Sequence, residues 1–388
     1  MQDRPGPHRV TLVLHKFDRG GSLRVAAYLA RGFTDIGMDV ELVAFTDQGE
    51  VDNIIVDLMG LDIPVVYLGA SRGPRPLDLL LGLPKLVRHL RARAPDSIIA
   101  VANNTALIST VARAFADLPR SRLFLKTTNP IASSRHKNIA KGIRRWTYRR
   151  IFGSATAVWT LSAQESAEMR DAFPAFASLF HEVFNPYVTQ AMLAPATDDP
   201  PADDPAGDEG RFVLGVGRLT RQKRFERLIE AFALVDDKSV KLKILGEGEE
   251  RPMLSALIDK LGLRDRVFLP GYVKNVAQAY HDAALFVLPS DYEGLPAVVL
   301  EAMAANCPVL CTDCFPAARA IVAGNDGCAI IEDTAPAEIA RMIDTHLAMP
   351  RPTSLRVVAE RYSIQNGVAS HVAALGSPGR NGAPRNYK

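Results

Sequence analysis

No run of apolar residues in the 388-residue chain approaches the ~20 residues that a helix needs to cross a bilayer. Residues 1–7 also lack the apolar core of a secretory signal peptide. These two absences favour a cytoplasmic protein. A peripheral position at the inner face of the cell membrane stays open.

Cysteine is scarce as well. The four cysteines fall within one short region, at spacings that match no paired zinc motif, and are Cys307, Cys311, Cys314 and Cys328. We interpret them as buried, reduced thiols rather than metal ligands or a disulfide. No carboxylate cluster typical of a metal site is evident either, so we expect no metal cofactor.

The composition is that of a soluble globular enzyme, with 47% hydrophobic and 23% charged residues. The length suggests two or three domains. The net charge of +3 is unevenly distributed. Residues 1–194 carry +7 (24 basic against 17 acidic residues), and the remainder carries −4 (22 against 26). The two halves therefore differ in electrostatic character.

Short apolar segments alternate with amphipathic segments in both halves of the chain. Predicted strands of the first half lie at 10–14, 40–44, 65–68, 97–101, 123–125 and 157–162. Segments of the second half that read as a strand followed by a loop lie at 212–223, 240–248, 267–273 and 285–294. This alternation is typical of α/β proteins with parallel, doubly wound sheets.

The loop after the first predicted strand contains Gly20 and Gly21 and leads into a helical segment. A strand, glycine loop and helix in this order can bind phosphate at the helix N-terminus. Two glycines after a strand are also common in plain turns. The loop lacks the full dinucleotide fingerprint, which disfavours an NAD-binding protein.

The most informative stretch runs from 290 to 303, SDYEGLPAVVLEAM. It follows the apolar run 285–288, which predicts a buried strand that ends in a loop. Pro296 suits the first position of a helix, and Asn306 can adopt the left-handed conformation that ends one. Glu293 in the loop and Glu301 in the helix would then share the crevice where α/β sheets bind ligands. Taken alone, two such acids are more often simple partners of a helix dipole.

A second loop, at 217–223, carries cations. Arg218 and Lys223 follow the predicted strand that begins at Phe212, with Gly217 between strand and cations. Arginine can bind phosphate oxygens in a bidentate manner, and lysine supplies a compact charge. Together they could hold a diphosphate, although basic residues in loops are usually solvated surface residues.

These two stretches resemble the motifs of retaining GT-B glycosyltransferases, specifically glycosyltransferase family four, also called glycosyl transferases group 1. The resemblance covers most of residues 212–315, and the first half only by general pattern. It implies two Rossmann-like domains that face each other across a cleft. It also implies transfer of a hexosyl-type sugar from a nucleoside-diphosphate-sugar to a glycan or lipid-linked acceptor, with retention of anomeric configuration.

The resemblance also implies roles for individual residues. Glu293 would position the donor sugar, while Arg218 and Lys223 would bind the diphosphate and stabilise it as it leaves. The implied donor-binding residues are Gly20, Gly21, Gly217, Val273, Gly294, Leu295 and Glu301, the last of which would bond the ribose hydroxyls. A bacterial polysaccharide or glycoconjugate pathway is the matching biological expectation.

The chain departs from the family pattern at two places. A histidine is common after a strand in the middle of the first domain, but the corresponding residues here are 126–130, KTTNP. His136 lies nearby, and its spacing does not assign it that role. The segment 316–320, PAARA, lacks the acid that family members often carry. A nucleotide-sugar epimerase of the same architecture and a non-catalytic nucleotide-sugar-binding protein therefore stay open as alternatives.

From Arg135 to Arg150 the chain holds seven basic residues and no acid, interleaved with Trp146 and Tyr148. This predicts a basic amphipathic helix. One interpretation is attraction to anionic lipid headgroups or to a diphosphate-lipid acceptor. The other is a solvated helix face with its aromatic residues in the core. No RNA-recognition module accompanies the charge, so we expect no nucleic-acid partner.

The expected domain organisation follows. We predict an N-terminal acceptor-side domain over 1–194 and an acidic, proline-rich linker over 195–210. A nucleotide-sugar-binding domain over 211–358 comes next. A helix over 359–375 would return toward the first domain, and 376–388 would form a disordered tail.

Overall fold

The computed structural model describes residues 7–17, 21–47, 63–69, 75–129, 131, 138–194, 211–273 and 276–376. The chain divides into two compact units, Met1–Pro186 with Ile364–Lys388, and Tyr187–Ser363. It leaves the first unit after Pro186 and returns to it after Ser363, whereas the sequence placed these limits at 194 and 358. The predicted linker over 195–210 and the residues beyond Gly376 lie outside the described residues.

The first unit contains a parallel sheet of seven strands in the order β3-β2-β1-β4-β5-β6-β7. Its strands are β1 Arg9–Phe17, β2 Asp39–Asp47, β3 Val65–Tyr67, β4 Ser97–Ala100, β5 Arg122–Lys126, β6 Ala157–Thr160 and β7 Phe180–Glu182. The order reverses beside β1, as in doubly wound folds. The central strands are buried on both faces because helices cover both sides of a parallel sheet.

The helices of the first unit are α1 Gly21–Asp35, α2 Arg75–Arg93, α3 Asn103–Phe115, α4 Asn138–Ser154 and α5 Ala163–Ala172, with a 3₁₀ turn at Pro174–Leu179. One core cluster joins residues of the sheet with Leu86 of α2, Ala112 of α3 and Phe152 of α4. These three helices therefore cover the same face of the sheet. The C-terminal helix of the chain, Ile364–Gly376, also belongs to this unit and packs against α1, where a Cβ at Gly32 would clash with Val368.

The second unit contains a parallel sheet of six strands in the order β10-β9-β8-β11-β12-β13. Its strands are β8 Phe212–Val216, β9 Lys241–Leu245, β10 Val267–Gly271, β11 Leu285–Leu288, β12 Val309–Thr312 and β13 Ala329–Ile331. The reversal of order lies between β8 and β11. In sheets of this kind, a ligand binds beyond the carboxyl ends of the strands at the reversal.

The helices of the second unit are α6 Gln190–Leu193, α7 Phe225–Leu234, α8 Arg251–Lys260, α9 Ala277–Asp282, α10 Ala297–Ala304, α11 Ala318–Ile321, α12 Pro336–Leu347 and α13 Leu355–Glu360, followed in the first unit by α14 Ile364–Gly376. A short 3₁₀ turn, Arg221–Lys223, precedes α7. The apolar faces of α7, α8 and α12 close one core against β8, β9 and β11. Burial of these faces stabilises the elements that carry the loops at the carboxyl edge.

The fold class predicted from sequence is confirmed, because both sheets are parallel and flanked by helices. The strands β7, β12 and β13 were not predicted. The strands β7 and β13 have three residues each and lie at the ends of their sheets, and β12 has four residues. Among the described residues, no helix combines the length and the apolarity that crossing a bilayer requires.

Candidate active site

The site predicted in the second half lies at the carboxyl edge of the second sheet. The loops that follow β8, β9, β10 and β11 begin at Gly217, Gly246, Tyr272 and Pro289. Because the strands are parallel, all four loops lie at the same edge, and β8 and β11 flank the reversal of strand order. The cations at 217–223 and the acid at 293 come from two adjacent strands of this edge.

Lys223 and Glu293 are in direct contact although 70 positions separate them. The Nζ atom of Lys223 lies 2.7 Å from Oε1 of Glu293. Both side chains are largely buried, with 15% and 11% of their surface exposed. An ion pair at this depth is only weakly screened, so the two charges largely neutralise each other.

Two further bonds hold Glu293, one at its carboxylate and one at its backbone N–H. The hydroxyl of Ser290 donates a hydrogen bond of 2.8 Å to Oε1, and the backbone N–H of Glu293 donates one of 2.6 Å to the carbonyl of Cys314. Thr312 in turn donates from its hydroxyl to the carbonyl of Ser290, at 2.5 Å. The loop after β11 is thus tied to the end of β12, which holds the acid in one orientation.

Glu301 is buried in the second turn of α10, with 2% of its surface exposed. The hydroxyl of Tyr280, in α9, donates a hydrogen bond of 3.0 Å to its Oε2 atom. Tyr280 is itself fully buried and packs edge to face against Phe286 of β11. A carboxylate held by a buried phenol keeps a fixed position from which to accept hydroxyl donors.

The loops after β8 and β9 approach each other closely at glycines. A Cβ at Gly246 would lie 2.0 Å from the carbonyl oxygen of Gly217, and Gly246 has a φ of +141°. A Cβ at Gly217 would come within 3.1 Å of the Lys223 side chain. The lysine stem therefore lies over the backbone of this loop. Only glycine leaves room for that arrangement.

Arg218 is exposed, and it forms no ion pair with any residue that the structure describes. Two other arginines of this region hold the loop after β11. Arg227 bonds the carbonyl of Pro289 at 2.9 Å and Asp291 at 3.1 Å, while Arg224 lies 3.6 Å from Asp291. The structure thus gives Arg224 and Arg227 partners within the protein.

The remaining predicted residues divide between the two units. Gly294 and Leu295 lie between Glu293 and α10, and Leu295 is buried. Val273 is half-buried in the loop after β10. Gly21 begins α1 of the first unit and is exposed. Gly20 lies outside the described residues.

The prediction of buried, reduced thiols is confirmed for three of the four cysteines. All four cysteines are free, three are buried, and Cys328 is half-buried. Burial raises the pKa of Cys307 and of Cys314 to about 12, which keeps both protonated at neutral pH. Within the described ranges no three His, Cys, Asp or Glu side chains are grouped so as to hold a metal ion.

The sequence analysis missed Tyr280, Ser290 and Thr312. Ser290 could have been noticed, because its hydroxyl precedes the acid by three residues in the same loop. Tyr280 gave no local signal, since its contact with Glu301 depends on how α9 and α10 pack.

A buried polar cluster in the first unit includes Lys126, which belongs to the segment 126–130 where the family pattern has a histidine. The amine of Lys126, at the end of β5, donates a hydrogen bond to Oδ1 of Asn185. Burial lowers the pKa of Lys126 to about 7 and raises the pKa of the neighbouring Glu165. His371 of α14 packs edge to face on Trp159, and burial lowers its pKa to about 3. His136 lies outside the described residues.

The fold and the site define a class of enzyme that comparison with known families identifies. The family model described as "Glycosyl transferases group 1" matches residues 199–364, and the model described as "Glycosyl transferase 4-like domain" matches residues 20–186. The two matches together span most of the chain. The protein belongs to the group 1 glycosyl transferases and has the GT-B fold.

Individual relatives agree with this assignment. An uncharacterized glycosyltransferase of Methanocaldococcus jannaschii is 42% identical over 111 residues, which span 28% of this chain and 27% of that protein. The N-acetylgalactosamine-N,N'-diacetylbacillosaminyl-diphospho-undecaprenol 4-alpha-N-acetylgalactosaminyltransferase of Campylobacter jejuni is 24% identical over 336 residues, which span 84% of this chain and 86% of that protein.

Among solved structures, that of Anabaena HepE in complex with UDP and glucose superposes with a TM-score of 0.76 at 19% identity. The match covers 95% of this chain and 99% of the HepE chain. At that level of identity the likeness shows a shared fold.

Proposed function

We propose that this glycosyltransferase moves a hexosyl-type sugar from a nucleoside-diphosphate-sugar to an acceptor with retention of anomeric configuration. The observation that carries the proposal is the contact between Lys223 and Glu293 at the carboxyl edge of β8 and β11. In this contact one cation and one acid lie beside the loop at Gly217. A bound sugar phosphate would need the cation for its phosphate and the acid for its sugar.

The diphosphate is the group that most needs stabilisation. When the bond between the anomeric carbon and the phosphate oxygen breaks, the electron pair stays with the leaving nucleoside diphosphate. Lys223 and the exposed Arg218 supply positive charge to that group. In this proposal protein cations neutralise the negative charge of the phosphates, and we expect transfer without an added divalent metal.

In this proposal the two acids bind different parts of the donor. Glu301, held by Tyr280, accepts hydrogen bonds from the ribose hydroxyls. Glu293, held by Ser290 and Lys223, faces the sugar and the positive charge that develops on it during transfer. Gly294, Leu295 and Val273 would line the donor.

The acceptor is proposed to be a glycan or a lipid-linked sugar of a bacterial surface pathway. The Campylobacter relative is named for a diphospho-undecaprenol acceptor. The segment from Arg135 to Arg150, part of which is described as α4, would lie near the anionic headgroups that surround such a lipid. The expected location is the cytoplasmic face of the membrane.

A thermal-shift panel of nucleoside-diphosphate-sugars tests the donor class directly, because a ligand that binds only the folded state raises the melting temperature. UDP-sugars come first, since the structure of HepE contains UDP and glucose. The best donor is then incubated with acceptors, and the anomeric configuration of the product is read by NMR. Absence of a shift with every nucleotide sugar contradicts the proposal. An epimerised sugar nucleotide formed without acceptor favours an epimerase instead.

A further inference from the structure

Arg224 has a backbone conformation that residues other than glycine rarely adopt. It lies between the 3₁₀ turn Arg221–Lys223 and the first residue of α7, with a φ of +54° and a ψ of +38°. In this left-handed region the Cβ atom crowds the following carbonyl oxygen, which costs free energy for arginine and almost none for glycine. Strain of this kind persists only where the surrounding contacts enforce it, and it is frequent at functional sites.

The side chain of Arg224 faces an acid of the loop after β11. Its Nε atom lies 3.6 Å from Oδ1 of Asp291, and its Nη1 atom lies 2.9 Å from Oε1 of Glu226. Arg227, in the first turn of α7, donates a hydrogen bond of 3.1 Å to the same Oδ1 atom of Asp291. Two arginines therefore hold one aspartate, which comes two residues before Glu293.

The backbones of the same two loops are also joined. The carbonyl of Gln222 accepts a hydrogen bond of 3.0 Å from the N–H of Asp291, and its side-chain amide donates one of 2.7 Å to the carbonyl of Tyr292. The contact between Lys223 and Glu293 continues this series. The three consecutive residues that end with Glu293 are thus each held by the segment after β8. A displacement of Asp291 would therefore carry Glu293 with it.

Stability alone does not explain an arginine at position 224. The side chains of Arg224 and Asp291 are 31% and 42% exposed, and ion pairs at such exposure contribute little to stability. Glycine at this position would relieve the backbone strain and lose only contacts of this kind. The contribution of the arginine therefore lies in the arrangement that it maintains.

We propose that Arg224 is a positioning residue, which acts through Asp291 to keep the carboxylate of Glu293 beside Lys223 in the geometry that sugar transfer requires. The energetic reason is that a misplacement of about 1 Å in a reacting group lowers a rate about a hundredfold. Arg227 supports the same aspartate. The proposal deepens the proposed function, and it rests on that function for the role of Glu293.

Arg224→Gly tests the proposal because it should separate stability from activity. We expect a melting temperature that is unchanged or up to about 4 °C higher, since the backbone strain is relieved. The donor for the assay is the nucleotide sugar that gives the largest thermal shift. Its kcat should fall about tenfold or more, while its KM changes by less than about threefold. Arg224→Lys keeps a cation near Asp291 and should retain at least about a third of the wild-type kcat.

A matched control relieves similar strain in the first unit. Asp117 is exposed, has a φ of +56° and lies just after the C-terminal end of α3. Asp117→Gly should leave kcat and KM unchanged, with a melting temperature equal to or above that of the wild type.

A double-mutant cycle shows whether Arg224 acts through Asp291. Asp291→Asn removes the charge that both arginines hold, so it should lower kcat as Arg224→Gly does. The double variant should then be no slower than the slower single variant, to within about twofold. Losses that multiply would show that Arg224 acts elsewhere, which overturns the proposal.

A crystal structure of Arg224→Gly needs no donor and reads the geometry directly. We expect the Glu293 carboxylate to be displaced by about 1 Å or more from Nζ of Lys223, which it contacts at 2.7 Å in the wild type. An unchanged contact, a kcat equal to that of the wild type, or a loss of kcat that accompanies a lower melting temperature overturns the proposal. If no nucleotide sugar binds the wild type, the proposed function fails separately, because the variant structure still reports whether Arg224 holds Glu293.

Discussion

Lys223 and Glu293 bring two loops of the second unit together through a contact of 2.7 Å between Nζ and Oε1. The lysine belongs to a 3₁₀ turn after β8, and the acid follows β11, the next strand of the sheet. A diphosphate that binds Lys223 must share the ammonium with this carboxylate. We therefore expect the pair to set both the affinity for the leaving nucleotide and the charge around the sugar.

Replacing Glu293 with Gln should separate these two effects. Removing the competing negative charge should raise the affinity for the free nucleoside diphosphate about tenfold or more, because charge-assisted hydrogen bonds contribute about 1.5–3 kcal/mol and each 1.4 kcal/mol is about tenfold. Transfer should fall about a hundredfold or more. Calorimetric titration and a transfer assay measure the two quantities. Weaker nucleotide binding in Glu293→Gln would show that the acid assists the diphosphate rather than competing for the lysine.

Tyr280 should act as a positioning residue for Glu301. The substitution Tyr280→Phe removes only the hydroxyl that donates to Oε2. Losing one partner of a buried carboxylate costs about 1–3 kcal/mol, so the melting temperature should fall. The KM for the donor should rise about three- to tenfold while kcat changes by less than about twofold. A fall in kcat at unchanged KM would place Tyr280 in the chemical step instead.

Gly246→Ala should disrupt the loop that carries Lys223. Its Cβ would lie 2.0 Å from the Gly217 carbonyl, which is backbone and cannot rotate away. We expect a loss of several kcal/mol of stability, as is typical when overpacking and an unfavourable φ combine. Gly324→Ala is the matched control, since φ is +86° there and no atom lies within 4 Å of the added Cβ. It should cost only about 1–2 kcal/mol. Equal melting temperatures for the two variants would contradict the close approach of these loops.

The buried amine of Lys126 should make stability depend on pH. Burial lowers its folded pKa from 10.5 to about 7, so between these values the unfolded chain binds a proton that the folded chain does not. The free energy of unfolding should therefore rise with pH across this interval, by up to about 5 kcal/mol. Below pH 7 both states are protonated and the contribution is constant.

Lys126→Met should remove that rise. Melting temperatures of both proteins from pH 7 to 10 measure the difference. Parallel curves would contradict a neutral amine in the folded unit.

Local signals in the sequence were sufficient to predict most of the strands and helices of the fold. Apolar runs such as 285–288 became strands because a parallel sheet buries both faces of its strands. Asn306 adopts the left-handed conformation suggested for it, with φ of +51°. Pro296 was expected inside the helix but precedes it, with an extended ψ of 113°. The strands β7, β12 and β13 were not predicted, whereas β3, which also has three residues, was predicted because it lies in the apolar run 65–68.

The site could be predicted from sequence only in part, because its contacts join residues that are far apart in the chain. Motif spacing drew attention to Lys223 and Glu293, but a contact across 70 positions depends on the adjacency of β8 and β11. Tyr280 and Thr312 act through long-range hydrogen bonds, which leave no periodic trace. Contacts of this kind become visible only when packing brings the elements together.

A crystal structure of the chain with a bound nucleoside diphosphate addresses the proposed site most directly. We expect the diphosphate oxygens at about 2.7–3.2 Å from Nζ of Lys223, with the Arg218 guanidinium turned toward them and the ribose hydroxyls on Glu301. A nucleotide seated elsewhere, with Lys223 still bonded only to Glu293, would refute the assignment.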